Sequence, residues 1–95
     1  MINRYEAVFI IDAQLDDENI KLNVDKFRNL LETSAKLENI DEWGKRKLAY
    51  PIKDQSEGYY VLADFSADSS FPLELERIFK ITDGILKYMV INKEK

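Results

Sequence analysis

The segment from 43 to 52 holds the residue types best suited to binding an anionic or aromatic partner. It reads Trp43-Gly44-Lys45-Arg46-Lys47-Leu48-Ala49-Tyr50-Pro51-Ile52. Basic side chains bind phosphate, and aromatic side chains stack on bases or fill pockets on proteins. In a strand, successive side chains point to opposite faces, so Lys45 and Lys47 are predicted on one side. Arg46, Leu48 and Tyr50 are then predicted on the other, unless a bulge intervenes. Alternatively, the charges only protect an edge strand from pairing with other sheets.

Side chains that enzymes use for catalysis are scarce. The sequence has no histidine and no cysteine, so a serine or thiol nucleophile beside an imidazole base is excluded. Its three glycines, Gly44, Gly58 and Gly84, are too far apart to form a phosphate-binding loop. The acidic run Asp16-Asp17-Glu18 is better explained by helix capping than by a metal site. We therefore predict a binding protein with no catalytic residue, no cofactor and no metal ion.

The length and composition indicate a small intracellular protein. Ninety-five residues, 45% of them hydrophobic, suffice for one core, and we expect a single domain over 1–95. The first apolar run is too short for a signal peptide, and no run approaches the roughly 18 apolar residues that span a membrane. We expect a cytoplasmic protein without membrane contact that is a monomer when free.

Charge is unevenly distributed along the chain. The net charge is −4, but residues 12–42 carry nine acidic and four basic side chains, whereas residues 43–53 carry four basic and no acidic ones. Residues 77–95 have a net charge of +3. Phosphate binding depends on the local potential within about 10 Å rather than on the net charge. The basic segments can therefore bind nucleic acid and the acidic one a basic protein, or all of them can be ordinary solvated surfaces.

Hydrophobic periodicity and turn residues predict six elements. They are a strand over 5–11, a helix from Asp16 or Asp17, strands over 37–50 and 59–65, a helix from Ser69 or Ser70, and a strand over 85–92. Pro51 should end the second strand because it has no N–H to donate, and residues 51–58 should form a hairpin loop.

Both helices show one apolar stripe with a period of 3.6 residues. The first stripe consists of Ile20, Val24, Phe27 and Leu31, and the second of Leu75, Ile78, Phe79 and Thr82. The order predicts an α+β fold of the ferredoxin-like βαββαβ type, a four-stranded antiparallel sheet with two helices on one face. The first and third strands should be central.

The face of the sheet away from the helices is a candidate binding surface. If Ala7, Phe9 and Ile11 face the helices, the first strand presents Glu6, Val8 and Ile10 on its open side. We expect the third strand to add Tyr59, Val61 and Ala63. A surface with one aromatic residue suits a protein partner better than unstacked bases. RNA contacts are then expected at strand ends and loops, through Arg4, Tyr5, Lys80, Lys87 and Tyr88.

Three blocks of the sequence resemble the family of bacterial small-subunit ribosomal protein six. They are Arg4-Tyr5-Glu6, the segment 43–52 followed by Gly58-Tyr59-Tyr60, and the ending Ile81-Thr82-Asp83-Gly84-Ile85-Leu86-Lys87-Tyr88-Met89-Val90-Ile91. The resemblance implies a component of the small ribosomal subunit that binds the central domain of small-subunit rRNA together with small-subunit ribosomal protein eighteen. It also implies that Arg4 and Tyr5 lie near RNA. The residues expected to face the partner protein are Trp43, Lys45, Arg46, Lys47, Tyr50 and Tyr59.

Two other functions are compatible with the predicted fold. One is a ligand-sensing regulatory domain that dimerises through its sheet, although the segment after the first strand lacks the glycine-rich loop that such a domain would use. The other is a small phosphate-ester hydrolase, for which the sequence offers no reactive group.

Overall fold

The computed structural model describes residues 2–94, which form four strands and two helices. Their order is β1 (Ile2–Asp12), α1 (Asp17–Ser34), β2 (Lys36–Ile52), β3 (Gln55–Asp68), α2 (Phe71–Ile81) and β4 (Ile85–Asn92). The strands form one antiparallel sheet in the order β2-β3-β1-β4. The predicted βαββαβ order and the central positions of the first and third strands are confirmed. Within residues 2–94 no helix is long and apolar enough to cross a membrane.

The core lies between the sheet and the two helices. Every second residue of β1 from Tyr5 to Ile11 is buried, and so are the four predicted stripe residues of α1. From α2, Phe71, Leu75 and Phe79 complete the same cluster. The cluster depends on hydrophobic contact alone, because no polar or charged residue is buried among residues 2–94.

A capping side chain marks the start of α1, and a proline in the first turn marks the start of α2. The Asp16 side chain accepts a hydrogen bond from the Asn19 backbone N–H at 3.0 Å, which satisfies one of the free donors in the first turn of α1. Helix α2 begins after Ser70 with Pro72 in its first turn, as predicted. Both helices therefore start where the sequence indicates.

The β2–β3 hairpin differs from the prediction. Strand β2 continues through Pro51 to Ile52, and the turn consists of Lys53 and Asp54 alone, both with positive φ. A proline is tolerated here because β2 is an edge strand. Between the pairs Lys47–Glu57 and Ile52–Gln55, four residues of β2 lie opposite one residue of β3. The prediction of a loop over 51–58 is therefore wrong, and a large bulge takes its place.

Candidate binding surface

The open face of the sheet is the side away from the helices, and the strand register fixes which residues form it. Tyr5 of β1 lies opposite Phe65 of β3, and Phe9 opposite Val61, so these four side chains all point toward the helices. The residues between them point outward. The expectation that Tyr59, Val61 and Ala63 share the open face is therefore wrong, since Tyr59 lies opposite the buried Ile11.

An apolar patch occupies the centre of the open face. Val8 lies between Leu62 of β3 and Met89 of β4, which are its direct cross-strand neighbours. Two residues further along β1, Ile10 lies opposite Tyr60. Two residues before Val8, Glu6 lies opposite Ile91 of β4, which is 42% exposed. We call these residues the apolar patch: Val8, Tyr60, Leu62, Met89 and Ile91. A contiguous apolar area on an otherwise charged protein is typical of a protein-binding surface.

Trp43 extends the apolar patch toward the β2 edge. Its ring stacks on that of Tyr60, with centroids 6.3 Å apart, and its indole N–H donates to Asp41 at 3.0 Å. Trp43 remains 43% exposed. A half-exposed tryptophan that is held by stacking has the character of an interface anchor, because little side-chain entropy is lost when it binds.

A band of carboxylates borders the apolar patch. Glu6 and Asp64 lie directly opposite each other in neighbouring strands, an unfavourable like-charge pair. Lys93 relieves it in part, because its ammonium donates to Asp64 at 3.0 Å. Glu38 accepts a hydrogen bond from Ser66, the next outward residue of β3. We call Glu6, Glu38, Asp41 and Asp64 the acidic band. Like charges kept together at an apolar surface favour a partner of positive charge.

The bulge in β2 covers one end of the open face. Leu48 is 7% exposed and packs on Ile10, close to Gly58 of β3. From the same bulge, the Tyr50 hydroxyl accepts a hydrogen bond from the Lys87 ammonium of β4 at 2.8 Å. The hydrogen bond with Tyr50 raises the pKa of Lys87 above its usual value. The bulge thus connects the two edges of the sheet and holds one basic side chain in position.

Of the predicted RNA-binding residues, three are exposed and two belong mainly to the core. Arg4 is exposed on the open face, 3.7 Å from Glu94, and Lys80 is exposed on α2. Tyr5 is only 4% exposed and stacks on Phe65 at 5.6 Å. Tyr88 faces the helices and stacks on Phe79 at 5.1 Å. Neither tyrosine ring is free to stack on a base.

The predicted protein-partner residues lie on two different faces. Arg46 is on the open face, and its guanidinium donates to the Trp43 carbonyl at 3.3 Å. Lys45 and Lys47 are on the helix side, because Lys45 lies opposite Tyr59. Their separation from Arg46 agrees with the sequence prediction, but they cannot share one surface with the apolar patch.

Tyr59 forms a polar cluster with α1 instead of a partner surface. Its hydroxyl donates to Glu42 at 2.8 Å, and Glu42 also lies 3.4 Å from Arg28. Burial, the hydrogen bond and the negative charge of Glu42 together raise the pKa of Tyr59 to about 12. This cluster fixes the base of the hairpin against α1.

Tyr60 and Leu62 are open-face residues that the sequence interpretation missed. The strand reads Tyr59-Tyr60-Val61-Leu62, with apolar residues on both faces, so its alternation alone does not say which set is buried. Phe65 has the same parity as Tyr59 and is buried, but which face of β3 is buried follows only from its pairing with β1.

Comparison by sequence and comparison by structure find similar proteins of the same family. A family model described as Ribosomal protein S6 matches residues 4–92. Small ribosomal subunit protein bS6 of Clostridium novyi is 48% identical over 95 residues, covering 99% of this chain and all of the relative. The bS6 protein of Clostridium botulinum strain Loch Maree is 49% identical over 94 residues, 98% of this chain and all of the relative. The crystal structure of 30S ribosomal protein S6 from Thermotoga maritima superposes with a TM-score of 0.92 at 27% identity, covering 99% of this chain and 90% of that one.

Proposed function

The chain belongs to the ribosomal protein S6 family, and from this membership we propose that it binds the central domain of small-subunit rRNA together with small-subunit ribosomal protein eighteen. It is a structural component of the small ribosomal subunit and not an enzyme. The open face of the sheet is the surface that we assign to the partner protein, and the basic residues at its ends are those that we assign to RNA.

The observation that carries the proposal is the apolar patch with the acidic band beside it. A basic partner would be attracted by Glu6 and Asp64 and would cover Met89 and Ile91, which are 49% and 42% exposed. Binding would also remove the like-charge repulsion between Glu6 and Asp64. The partner then supplies much of the positive charge that the net −4 of this chain lacks.

Arg4 and Lys87 are the candidate phosphate contacts of the open face. Lys87 lies opposite Ile10, which is six residues after Arg4 in β1. Arg4 and Lys87 are therefore about 20 Å apart along the strand direction. They therefore bind phosphates on two sides of the partner protein, and Lys80 on α2 extends the basic surface. We assign Tyr5 and Tyr88 a positioning role, since the buried ring of Tyr5 and the partly buried ring of Tyr88 each stack in the core beside one of these cations.

We further propose that the free protein is a monomer and a single domain. Two copies docked by their open faces would bring two acidic bands together, and this repulsion opposes the gain from apolar contact. Sedimentation of the protein alone checks this: a concentration-independent mass near 11.2 kDa is expected. A stable dimer that responds to metabolites would favour the ligand-sensing alternative.

Binding to a central-domain rRNA fragment, with and without protein eighteen, tests the main proposal. We expect tighter binding with the partner present. Replacing Lys87 or Arg4 by glutamine should lower the slope of log K against log salt by about one unit each, whereas Lys21→Gln on α1 serves as a control of equal charge change. If protein eighteen leaves the affinity unchanged, cooperative binding is wrong.

A further inference from the structure

Three lysines of the β2–β3 hairpin have no assigned partner. We call Lys45, Lys47 and Lys53 the hairpin lysines. Between residues 2 and 94, none of them forms a side-chain hydrogen bond or an ion pair, although Glu57 lies directly opposite Lys47. They are exposed, and they account for most of the four positive charges of residues 43–53. An unpaired group of cations of this kind carries a local positive potential in an acidic protein.

The strand register separates the hairpin lysines from the apolar patch. Lys45 lies opposite Tyr59, which lies opposite the buried Ile11, so Lys45 is on the helix side of the sheet. Lys47 is two residues further and shares that side. A protein docked on the open face therefore does not neutralise these two lysines.

Nearby carboxylates are already engaged and leave Lys45 without a counterion. Glu42, the closest acidic residue on the same side of β2, accepts the Tyr59 hydroxyl at 2.8 Å and lies 3.4 Å from Arg28. Arg28 also pairs with Asp25 at 3.7 Å. Asp25 and Glu42 thus pair with Arg28 rather than with Lys45, whereas Glu57, directly opposite Lys47, offsets part of the positive charge there.

We propose that Lys45 and Lys47 bind rRNA phosphates on the helix side of the molecule, as a second RNA contact separate from Arg4 and Lys87. The inference rests on the proposed function. RNA is favoured over an acidic protein because a protein interface needs an apolar anchor. The exposed large apolar residues between 36 and 68 are Trp43 and Tyr50, and both are associated with the open face. The helix side of the hairpin offers charge alone, which suits a phosphate backbone.

The test compares two double variants that change the net charge equally. Lys45→Gln/Lys47→Gln removes two hairpin lysines, and Lys21→Gln/Lys26→Gln removes two exposed lysines of α1. Both are titrated with the central-domain rRNA fragment and protein eighteen over a range of salt. We expect the hairpin variant to lower the slope of log K against log salt by about 1.5. If the two proteins bind equally at 1 M salt, this corresponds to about thirtyfold weaker binding of the variant at 0.1 M salt. The α1 variant should keep a slope near that of the wild type. Equal slopes for the two variants would overturn the inference while leaving the proposed function intact.

A cross-linking experiment identifies the bound molecule directly. The chain has no cysteine, so Lys47→Cys gives a single attachment point for a photoactivated cross-linker. In the complex with rRNA and protein eighteen, cross-links to RNA support the inference, whereas cross-links to protein eighteen alone, or none, refute it. If the wild-type protein fails to bind the fragment at all, the proposed function is wrong and the inference falls with it.

Discussion

Gly58 of β3 lies close to Leu48 in the β2 bulge and to Ile10 of β1, and replacing it by alanine tests this packing. A Cβ at this position would lie 3.2 Å from Leu48 Cδ2 and in severe overlap with Ile10 Cγ2. Ile10 and Leu48 are each 7% exposed, so neither side chain can turn into solvent to make room. Gly58→Ala therefore overpacks the contact between the bulge and the sheet.

The expected cost follows from two opposing effects. Overpacking a tight site costs about 1–3 kcal/mol. Alanine also restricts the unfolded chain, which stabilises by about 0.4–1 kcal/mol because Gly58, unlike Gly44, has no positive φ. The net expectation is a loss of about 1–2 kcal/mol in the free energy of unfolding, or about 5–10 °C in Tm for a domain of this size.

A double-mutant cycle in urea separates the overlap from other effects of the substitution. Ile10→Ala removes the Cγ2 atom, so Gly58→Ala should cost little or even stabilise in that background. Gly44→Ala is the control, since a Cβ there contacts nothing within 4 Å and its cost comes only from φ +82°. If Gly58→Ala destabilises both backgrounds equally, the Ile10 side chain does not lie against Gly58 as described.

Two further predictions concern the core and the cluster on α1. Phe27→Ala should lower the free energy of unfolding by about 3–5 kcal/mol in urea denaturation, because the ring is fully buried and stacks on Phe79, whereas Leu73→Ala, 76% exposed, should change it by less than about 0.5 kcal/mol. Tyr59 should ionise only near pH 12, and Tyr59→Phe should remove that step from an absorbance titration. Because folding raises this pKa, the stability that it provides is complete below about pH 10 and is lost as the pH rises toward 12. An unchanged titration curve in the variant, or equal losses for the two core substitutions, would contradict these assignments.

The helices and the strand order could be predicted because each depends on a local signal. Four apolar residues at helical spacing defined the buried side of α1, and Asp16 marked its start. Strand β4 was predicted with its observed bounds because Asp83 and Gly84 end α2 immediately before it. Such signals are read from neighbouring residues and need no knowledge of the sheet.

The open face could not be assigned correctly because its composition depends on register. Both faces of β3 carry apolar residues, so the choice between Tyr59 and Tyr60 required the pairing with β1. The bulge was equally hidden, since Lys53 and Asp54 adopt positive φ without the glycine or asparagine that marks a two-residue turn. Its consequence, the Tyr50–Lys87 contact, joins residues from opposite edges of the sheet, and no sequence pattern predicts such a pair.

The central position of β1 determines when this protein can fold during its synthesis. Strand β1 hydrogen-bonds to β3 and β4, which begin at Gln55 and Ile85. At about 5–20 residues per second, the ribosome needs roughly 4–15 s to extend the chain from the end of β1 to the start of β4. For that interval the edge of β1 that pairs with β4 has no partner strand. The core of the nascent chain therefore closes only after β4 has been synthesised.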